Sequence, residues 1–241
     1  MAPILQTENL TKRFGELAAV DNLNFAVEKG IIYGIAGPNG AGKTTLFNLL
    51  SGVYSGRGKV LFQGEQIDSL RPYQVGRKGL ARTFQVPSLF ETLSIYDNIR
   101  VGAHFGNHSS NEDEIIQETL KFVGLQNLAN EKGEHLSLFD KKRTMLASAL
   151  AMNPKLLMLD EPNAGLSPRE INDSTKLFRK INKQKGITLI VIEHLMKVLV
   201  DISDEMMILH NGKKIAYGLP KEVTKEPQVI EVYIGAEHAQ S

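Results

Sequence analysis

The stretch Gly37–Thr44 constrains the fold more than any other part of the sequence, and it reads Gly-Pro-Asn-Gly-Ala-Gly-Lys-Thr. It fits the pattern G-x-x-x-x-G-K-[ST] of a phosphate-binding loop. An apolar run of strand length precedes it at residues 30–36, and residues 45–50 have helical periodicity. The alternative, a glycine-rich turn with a chance lysine, does not account for this context. The sequence therefore predicts a strand, a phosphate-binding loop and a helix, in this order.

The residue types in the loop suit a nucleotide. Gly37, Gly40 and Gly42 allow backbone conformations that a Cβ would forbid, so successive N–H groups can point at phosphate oxygens. Lys43 is expected to hold the β- and γ-phosphates, and Thr44 to offer its hydroxyl to Mg²⁺. The positive end of the helix dipole adds to the anion site.

Charge and composition exclude several classes of protein. The 28 basic and 27 acidic residues give a net charge of +1, and no block of like charge suggests a nucleic acid partner. The absence of cysteine excludes disulfides and thiolate zinc sites. The N-terminus lacks the pattern of a signal peptide, and no apolar run approaches the roughly 20 residues that span a bilayer. If the protein works at a membrane, we expect another chain to supply the membrane helices.

Changes of periodicity along the chain predict its organisation. Short apolar stretches in residues 4–35 predict antiparallel strands, and Asn211-Gly212 predicts a later hairpin. Helical periodicity from Ser94 to Ala151 predicts an inserted helical subdomain. Within it, residues 106–111 predict a polar loop that contains His108, and both His104 and His108 are expected to be solvated rather than to bind a metal.

The predicted fold class is α/β. It comprises a P-loop NTPase core with a mostly parallel sheet, an N-terminal antiparallel β subdomain and an inserted α-helical subdomain. The apolar strands at residues 155–160 and 187–192 belong to the parallel sheet. We expect a single domain over residues 1–241, with a core of residues 1–93 and 152–241 and a helical subdomain of residues 94–151.

Two adjacent carboxylates, Asp160 and Glu161, follow a predicted buried strand at the edge where α/β sheets bind ligands. Their burial is costly unless a cation compensates it, which the Mg²⁺ of a nucleotide would do. We expect Asp160 to contact Mg²⁺, largely through water, and Glu161 to be the base that activates the attacking water. Gln85 is expected to complete the geometry of the magnesium ion and the water. His194 is placed to contact the γ-phosphate and orient Glu161, although a structural histidine is common at such a junction. Phe14, beside a glycine turn, either stacks on a base or is a core aromatic.

At these residues the sequence resembles the ATP-binding subunits of ABC transporters, over nearly the whole chain. Phe14 matches the adenine-stacking aromatic of the family, Gln85 its Q-loop, Leu156–Glu161 its Walker B strand with the catalytic glutamate, and His194 its H-loop. The Walker A loop of the family corresponds to Gly37, Pro38, Asn39, Gly40, Ala41, Gly42, Lys43, Thr44 and Thr45.

Further segments look like the branched-chain amino acid importer branch, although importers of amides and urea carry much the same pattern. These segments are residues 79–85, 160–168, 192–197 and 227–235. The resemblance implies ATP and Mg²⁺ as ligands and a second ABC ATPase subunit as partner. It also implies two membrane permease subunits, an extracytoplasmic solute-binding protein and a place on the cytoplasmic face of the membrane.

One motif departs from the family pattern Leu-Ser-x-Gly-Gln, because Phe139 and Asp140 replace its glycine and glutamine. In the family, Ser137 caps a helix whose N-terminus points at the γ-phosphate held by the facing subunit. A carboxylate about 4 Å from that phosphate would be repelled by about 4 kcal/mol at an effective dielectric of 20. Asp140 must therefore turn away, or this face grips ATP poorly. Lys141, Lys142 and Arg143 either compensate the charge or are solvated.

This departure suggests a heterodimer with a different ATPase whose signature is intact, with a homodimer as the alternative. Two other functions use the same core. One is a soluble ABC-type ATPase in cofactor assembly or regulation, and the other is a nucleotide sensor that does not hydrolyse ATP. The presence of Glu161 and His194 disfavours the sensor.

Overall fold

The computed structural model describes residues 2–106 and 111–238, so His108 lies outside the described residues. The chain divides into two compact units. The first comprises Met1–Pro72 and Thr188–Ser241, and the second comprises Tyr73–Ile187. No helix within the described residues is both long and apolar enough to cross a membrane.

Strands and helices alternate along most of the chain. The strands are β1 (Leu5–Phe14), β2 (Leu17–Val27), β3 (Ile32–Ala36), β4 (Arg57–Phe62), β5 (Glu65–Gln66), β6 (Leu80–Arg82), β7 (Leu156–Asp160), β8 (Thr188–Ile192), β9 (Glu205–His210) and β10 (Lys213–Gly218). The helices are α1 (Lys43–Leu50), α2 (Pro72–Arg77), α3 (Ile95–Phe105), α4 (Glu112–Val123), α5 (Leu138–Ala151), α6 (Pro168–Lys185), α7 (Met196–Ile202), α8 (Pro220–Val223) and α9 (Pro227–His238).

The first unit contains the predicted antiparallel sheet, with strand order β2-β1-β4-β5. Leu5 of β1 lies opposite Val27 of β2 on one side and Phe62 of β4 on the other. All three side chains are buried, because alternate residues of each strand face the core. The antiparallel β prediction is confirmed.

The first unit also contains the strands β10-β9-β3-β8, in this order. Strand β3 is parallel to both β8 and β9, and every residue of β3 and β8 is buried, as is typical of a central parallel strand. Strands β9 and β10 form the predicted hairpin, whose turn residues Asn211 and Gly212 both have positive φ. Strand β3 leads directly into the glycine loop and α1.

The second unit pairs β6 in parallel with β7 and contains the helices α3, α4 and α5. Ser94 caps α3, and α5 ends at Ala151, so the helical region begins and ends where periodicity predicts. Helices α3 and α5 approach so closely that a Cβ on Gly102 would collide with the carbonyl of Ser148. His104 is exposed and contacts Glu112 at 3.0 Å. The assignment of residues 94–151 to a separate subdomain stays a prediction, since the contacts divide the chain after Pro72 and Ile187.

Candidate functional site

The glycine loop lies between the end of β3 and the first residue of α1, in the first unit. A Cβ on Gly37 would collide with the carbonyl oxygen of Leu209, and one on Gly42 with the carbonyl oxygen of Ala19. Gly40 and Gly42 have positive φ values of 79° and 102°. Larger residues at these positions would distort the loop, so its shape depends on glycine. The loop leads into the N-terminus of α1, which has no side-chain cap.

Lys43 is 6% exposed, and its ammonium group turns back into the loop. Its Nζ donates hydrogen bonds to the carbonyl oxygens of Gly37 at 2.7 Å and Pro38 at 3.0 Å. Thr44 is exposed at the first turn of α1, and Thr45 is half-buried beside it. The loop therefore combines a cation, a backbone conformation that requires glycine, and a helix N-terminus. Together these features suit an anion such as phosphate.

Phe14 ends β1 as an exposed side chain rather than as a core aromatic, with 45% of its surface accessible. The rings of Phe14 and Tyr54 make an edge-to-face contact, with their centroids 5.6 Å apart. The Nζ of Lys12 lies 5.2 Å from the centroid of Phe14 and 5.4 Å from that of Tyr54. This group presents an aromatic surface on which a base can stack. Lys12 and Tyr54 were not predictable from the sequence, because no local pattern links residues before and after α1.

Asp160 and Glu161 lie at the carboxyl end of β7 in the second unit, and they are only 3% and 8% exposed. The carboxylate of Asp160 forms an ion pair with Arg82 of β6 at 2.7 Å, with both side chains almost fully buried. Since β6 and β7 are neighbouring parallel strands, their ends meet at one edge. Arg82 was not among the predicted site residues, although a basic residue at the end of an apolar strand indicates a buried charge that needs a partner.

Glu161 is held at both its side chain and its backbone. The amide Nε2 of Gln85 donates to its Oε2 at 2.6 Å. Its backbone has a φ of 44°, in the left-handed region. Its carbonyl oxygen accepts hydrogen bonds from the Nζ of Lys142 at 3.1 Å and from the N–H of Ala164 at 3.2 Å. The structure thus brings the side chains of Gln85 and Glu161 into contact. It also places Lys142 at the backbone of Glu161, a contact that the sequence did not indicate.

The N-terminus of α5 is capped by its own side chains. The N–H of Asp140 donates to the Oγ of Ser137 at 3.1 Å, and this hydroxyl donates back to the carboxylate of Asp140 at 2.8 Å. Arg143 forms an ion pair with the same carboxylate, and its guanidinium lies 4.7 Å from the ring centroid of Phe139. Asp140 is therefore directed at its own helix.

The basic residues after Asp140 differ in environment. Lys141 pairs with Glu91 at 3.0 Å, Lys142 is buried and Arg143 compensates Asp140. Solvation of all three, one of the two alternatives from the sequence, is wrong. The reason is that Lys142 lies in the second turn of α5, among the residues that this helix buries.

His194 is exposed, between the end of β8 and the start of α7 in the first unit. Gln85, Asp160 and Glu161 lie in the second unit. Within the part of the chain that the structure describes, no three His, Cys, Asp or Glu side chains are grouped so that they could hold a metal ion by themselves.

Comparison with known proteins agrees with this geometry. The family model described as ABC transporter matches residues 20–164, and the one described as branched-chain amino acid ATP-binding cassette transporter matches residues 213–239. The high-affinity branched-chain amino acid transport ATP-binding protein BraF of Pseudomonas aeruginosa is 35% identical, over 97% of this chain and 98% of BraF. The corresponding protein LivG of Escherichia coli is 33% identical over 97% of this chain and 98% of LivG.

Solved structures give the same family. A nucleotide-free ATP-binding cassette from an ABC transporter is 31% identical with a TM-score of 0.86, over 97% of this chain and 99% of that one. A cassette in its ADP conformation is 31% identical with a TM-score of 0.87, over 98% of this chain and 100% of that one. The chain therefore belongs to the ABC transporter family, as an ATP-binding subunit with the ATPase fold of that family.

Proposed function

We propose that this chain hydrolyses ATP to drive import of branched-chain amino acids or related amides through membrane permease subunits. The observation that carries the hydrolytic part is the buried carboxylate of Glu161, oriented by Gln85 at the end of β7. A carboxylate fixed in this way is suited to accept a proton from a water molecule. The solute class comes from the names of the relatives BraF and LivG.

The loop from Gly37 to Thr45 is proposed to bind the phosphates of ATP. Lys43 would exchange its hydrogen bonds to the loop carbonyls for the β- and γ-phosphate oxygens, which is favourable because the phosphates are charged. Phe14 would stack on adenine, supported by Tyr54.

A magnesium ion is the proposed second ligand, on the basis of the chemistry of three side chains. Thr44, Gln85 and Asp160 offer hydroxyl, amide and carboxylate oxygens, the ligand types that Mg²⁺ prefers. When bound, the ion would supply positive charge to the phosphate oxygens. Since no cluster of three acidic or histidine side chains exists within the described residues, phosphate and water oxygens would complete its coordination.

In the proposed reaction, Glu161 takes a proton from the attacking water while the oxygen of that water bonds to the γ-phosphorus. The bond from the γ-phosphorus to the bridging oxygen breaks, which leaves ADP and inorganic phosphate. Gln85 orients the carboxylate, and His194 would donate a hydrogen bond to the γ-phosphate.

A second, different ABC ATPase is the proposed partner. By analogy with the family, Ser137 would be the residue that contacts the ATP held by the facing subunit. Here its hydroxyl hydrogen is directed to Asp140, which is itself paired with Arg143. Breaking this network to admit a phosphate would place Asp140 near another negative charge. A partner with an intact signature would complete the Walker A site of this chain, while the reciprocal site would remain weak.

The proposed contact with the permease lies in the segment after β6. Phe84, Val86 and Phe90 are 46%, 73% and 58% exposed, and Phe84 and Phe90 line a groove with side chains of α3 and α5. Exposed apolar residues in such a group are typical of an interface. Because Gln85 lies between Phe84 and Val86, a partner seated here would sense the state of the nucleotide site. We expect the subunit to sit peripherally at the cytoplasmic face of the membrane.

Two measurements test the proposal. The Glu161→Gln variant should hydrolyse ATP at least about 100-fold more slowly and still bind it, because it lacks only the base. Membrane vesicles that contain both permeases should retain the wild-type chain but not the Phe84→Ser or Phe90→Ser variant. The Leu17→Ser variant, which changes an even more exposed apolar side chain elsewhere, should be retained.

The solute and the soluble alternative are tested in the same vesicles. Solute-binding protein loaded with leucine, isoleucine or valine should stimulate ATP turnover more than protein loaded with acetamide or urea. A chain that hydrolyses ATP fully and never sediments with permease-containing vesicles would instead support the soluble ABC-type ATPase.

A further inference from the structure

Lys142 is one of only two lysines that are buried in the described parts of the chain, and the other is Lys43 of the phosphate loop. Burying an ammonium group is costly unless hydrogen bonds or opposite charge compensate it. The resemblance to ABC ATPases implies that Lys43 binds phosphate, but it implies no role for Lys142. The side chain of Lys142 is only 7% exposed, and its burial therefore indicates a structural or functional role.

The Nζ of Lys142 donates to the carbonyl oxygen of Glu161 at 3.1 Å. Glu161 has a φ of 44°, a left-handed conformation that is uncommon for a residue with a Cβ. Strained conformations of this kind persist only where neighbouring groups hold them. Lys142 and the N–H of Ala164 hold the same carbonyl oxygen, so the peptide after Glu161 is fixed from α5 and from the following turn.

We propose that Lys142 is a positioning residue for hydrolysis, which fixes the backbone of Glu161 and thereby the direction of its carboxylate. Gln85 holds the carboxylate of the same residue, at 2.6 Å. The two contacts leave the carboxylate little freedom to swing away from the water it activates. This inference rests on the proposed role of Glu161 as base.

The position of Lys142 on α5 gives the contact a second consequence. Lys142 lies in the second turn of the helix that Ser137 caps, two residues after Asp140. A displacement of the N-terminus of α5 would shift the Lys142 ammonium and with it the Glu161 peptide. The signature helix and the backbone of the hydrolytic residue of one chain are thus linked directly, through a hydrogen bond from a buried side chain.

The test compares four forms of the full chain with the second ATPase and permeases present: wild type, Lys142→Met, Lys142→Arg and Lys141→Met. Methionine keeps the length of the side chain and removes the donor, whereas arginine restores a donor. Lys141→Met is the matched control, because Lys141 lies on the same helix and pairs with Glu91 at the surface. We expect Lys142→Met to lower kcat by about tenfold or more, with the KM for ATP within about twofold. Lys142→Arg should recover part of the loss, and Lys141→Met should match wild type.

A double variant separates positioning from general stability. If Lys142 acts through Glu161, Lys142→Met should slow the residual rate of Glu161→Gln by less than about twofold. An equal loss of kcat in both backgrounds, or a kcat for Lys142→Met equal to wild type, would overturn the inference. If Lys142→Met does not fold by circular dichroism, Lys142→Leu, which also lacks a donor, takes its place with the same expectations. Full activity of Glu161→Gln would instead reject the role of the base itself.

Discussion

The guanidinium of Arg82 lies 2.7 Å from the carboxylate of Asp160, and this ion pair is almost completely buried. It joins the end of β6 to the end of β7, next to Gln85 and Glu161. A buried carboxylate that lost its partner would retain the cost of desolvation without compensation. Arg82 therefore compensates the carboxylate of Asp160 and fixes its position at the end of β7.

The first prediction concerns this pair. Arg82→Met should lower the free energy of unfolding by about 3–5 kcal/mol, because it leaves a buried charge unpaired. Urea denaturation measures the change. Lys59→Met, which removes the exposed partner of Glu8, should cost no more than about 1 kcal/mol. Equal losses in the two variants would show that the buried pair contributes no more than a surface pair.

The second prediction concerns the base of the nucleotide. Phe14→Ala should raise the Kd for ATP roughly 5- to 150-fold, the range that corresponds to about 1–3 kcal/mol for stacking on one aromatic ring. The Kd for inorganic tripolyphosphate should not change, because it has no base. Leu17→Ala, at an exposed position of the next strand, is the control. Equal weakening for both ligands would mean that Phe14 supports the fold of the site rather than the base.

The phosphate loop was predictable because its determinants are local. A motif, an apolar run and a helical period lie within about twenty consecutive residues, and the observed β3, loop and α1 follow them. The order of strands and helices followed from the same periodicity, as did the antiparallel strands before the loop.

The contacts around Glu161 were only partly predictable, because they join distant parts of the chain. Gln85 and Glu161 are 76 residues apart, and the resemblance to a family suggested that they act together. No pattern indicated that Arg82 would pair with Asp160 or that Lys142 would reach Glu161. The positive φ of Glu161 likewise depends on tertiary contacts that no local sequence encodes. For Phe14, the sequence left the alternatives equal, since an aromatic beside a turn occurs both in cores and at surfaces.

The third prediction concerns pH. Hydrogen bonds from Ser167, the N-cap of α6, lower the pKa of Glu170 below its usual 4.5. A pKa that is lower in the folded state stabilises the protein above the unfolded pKa, and this contribution is lost as pH falls through the folded pKa. Ser167→Ala should therefore lose stability less steeply than wild type between about pH 5 and 3. Glu170→Gln should show the same weaker dependence of stability on pH, measured by thermal unfolding at each pH. A dependence equal to that of wild type in both variants would contradict the assignment.

The fourth prediction concerns the signature. The double change Phe139→Gly and Asp140→Gln should restore close backbone approach and remove the carboxylate that now occupies Ser137. In the Glu161→Gln background, this repaired chain should form an ATP-dependent homodimer, whereas Lys141→Met, a substitution in the same helix turn, should not. Sedimentation velocity with and without Mg-ATP measures the outcome. A repaired chain that stays monomeric while binding ATP would mean that the signature does not limit self-association.

The most direct test of the account is size-exclusion chromatography of the Glu161→Gln protein with and without Mg-ATP, because blocked hydrolysis should trap any closed dimer. We expect the protein to bind ATP and to elute as a monomer under both conditions, since the self-capped N-terminus of α5 cannot grip the nucleotide of a second copy. Addition of an ABC ATPase with an intact signature should then produce an ATP-dependent heterodimer. An ATP-dependent dimer of this chain alone would contradict the proposed division of labour.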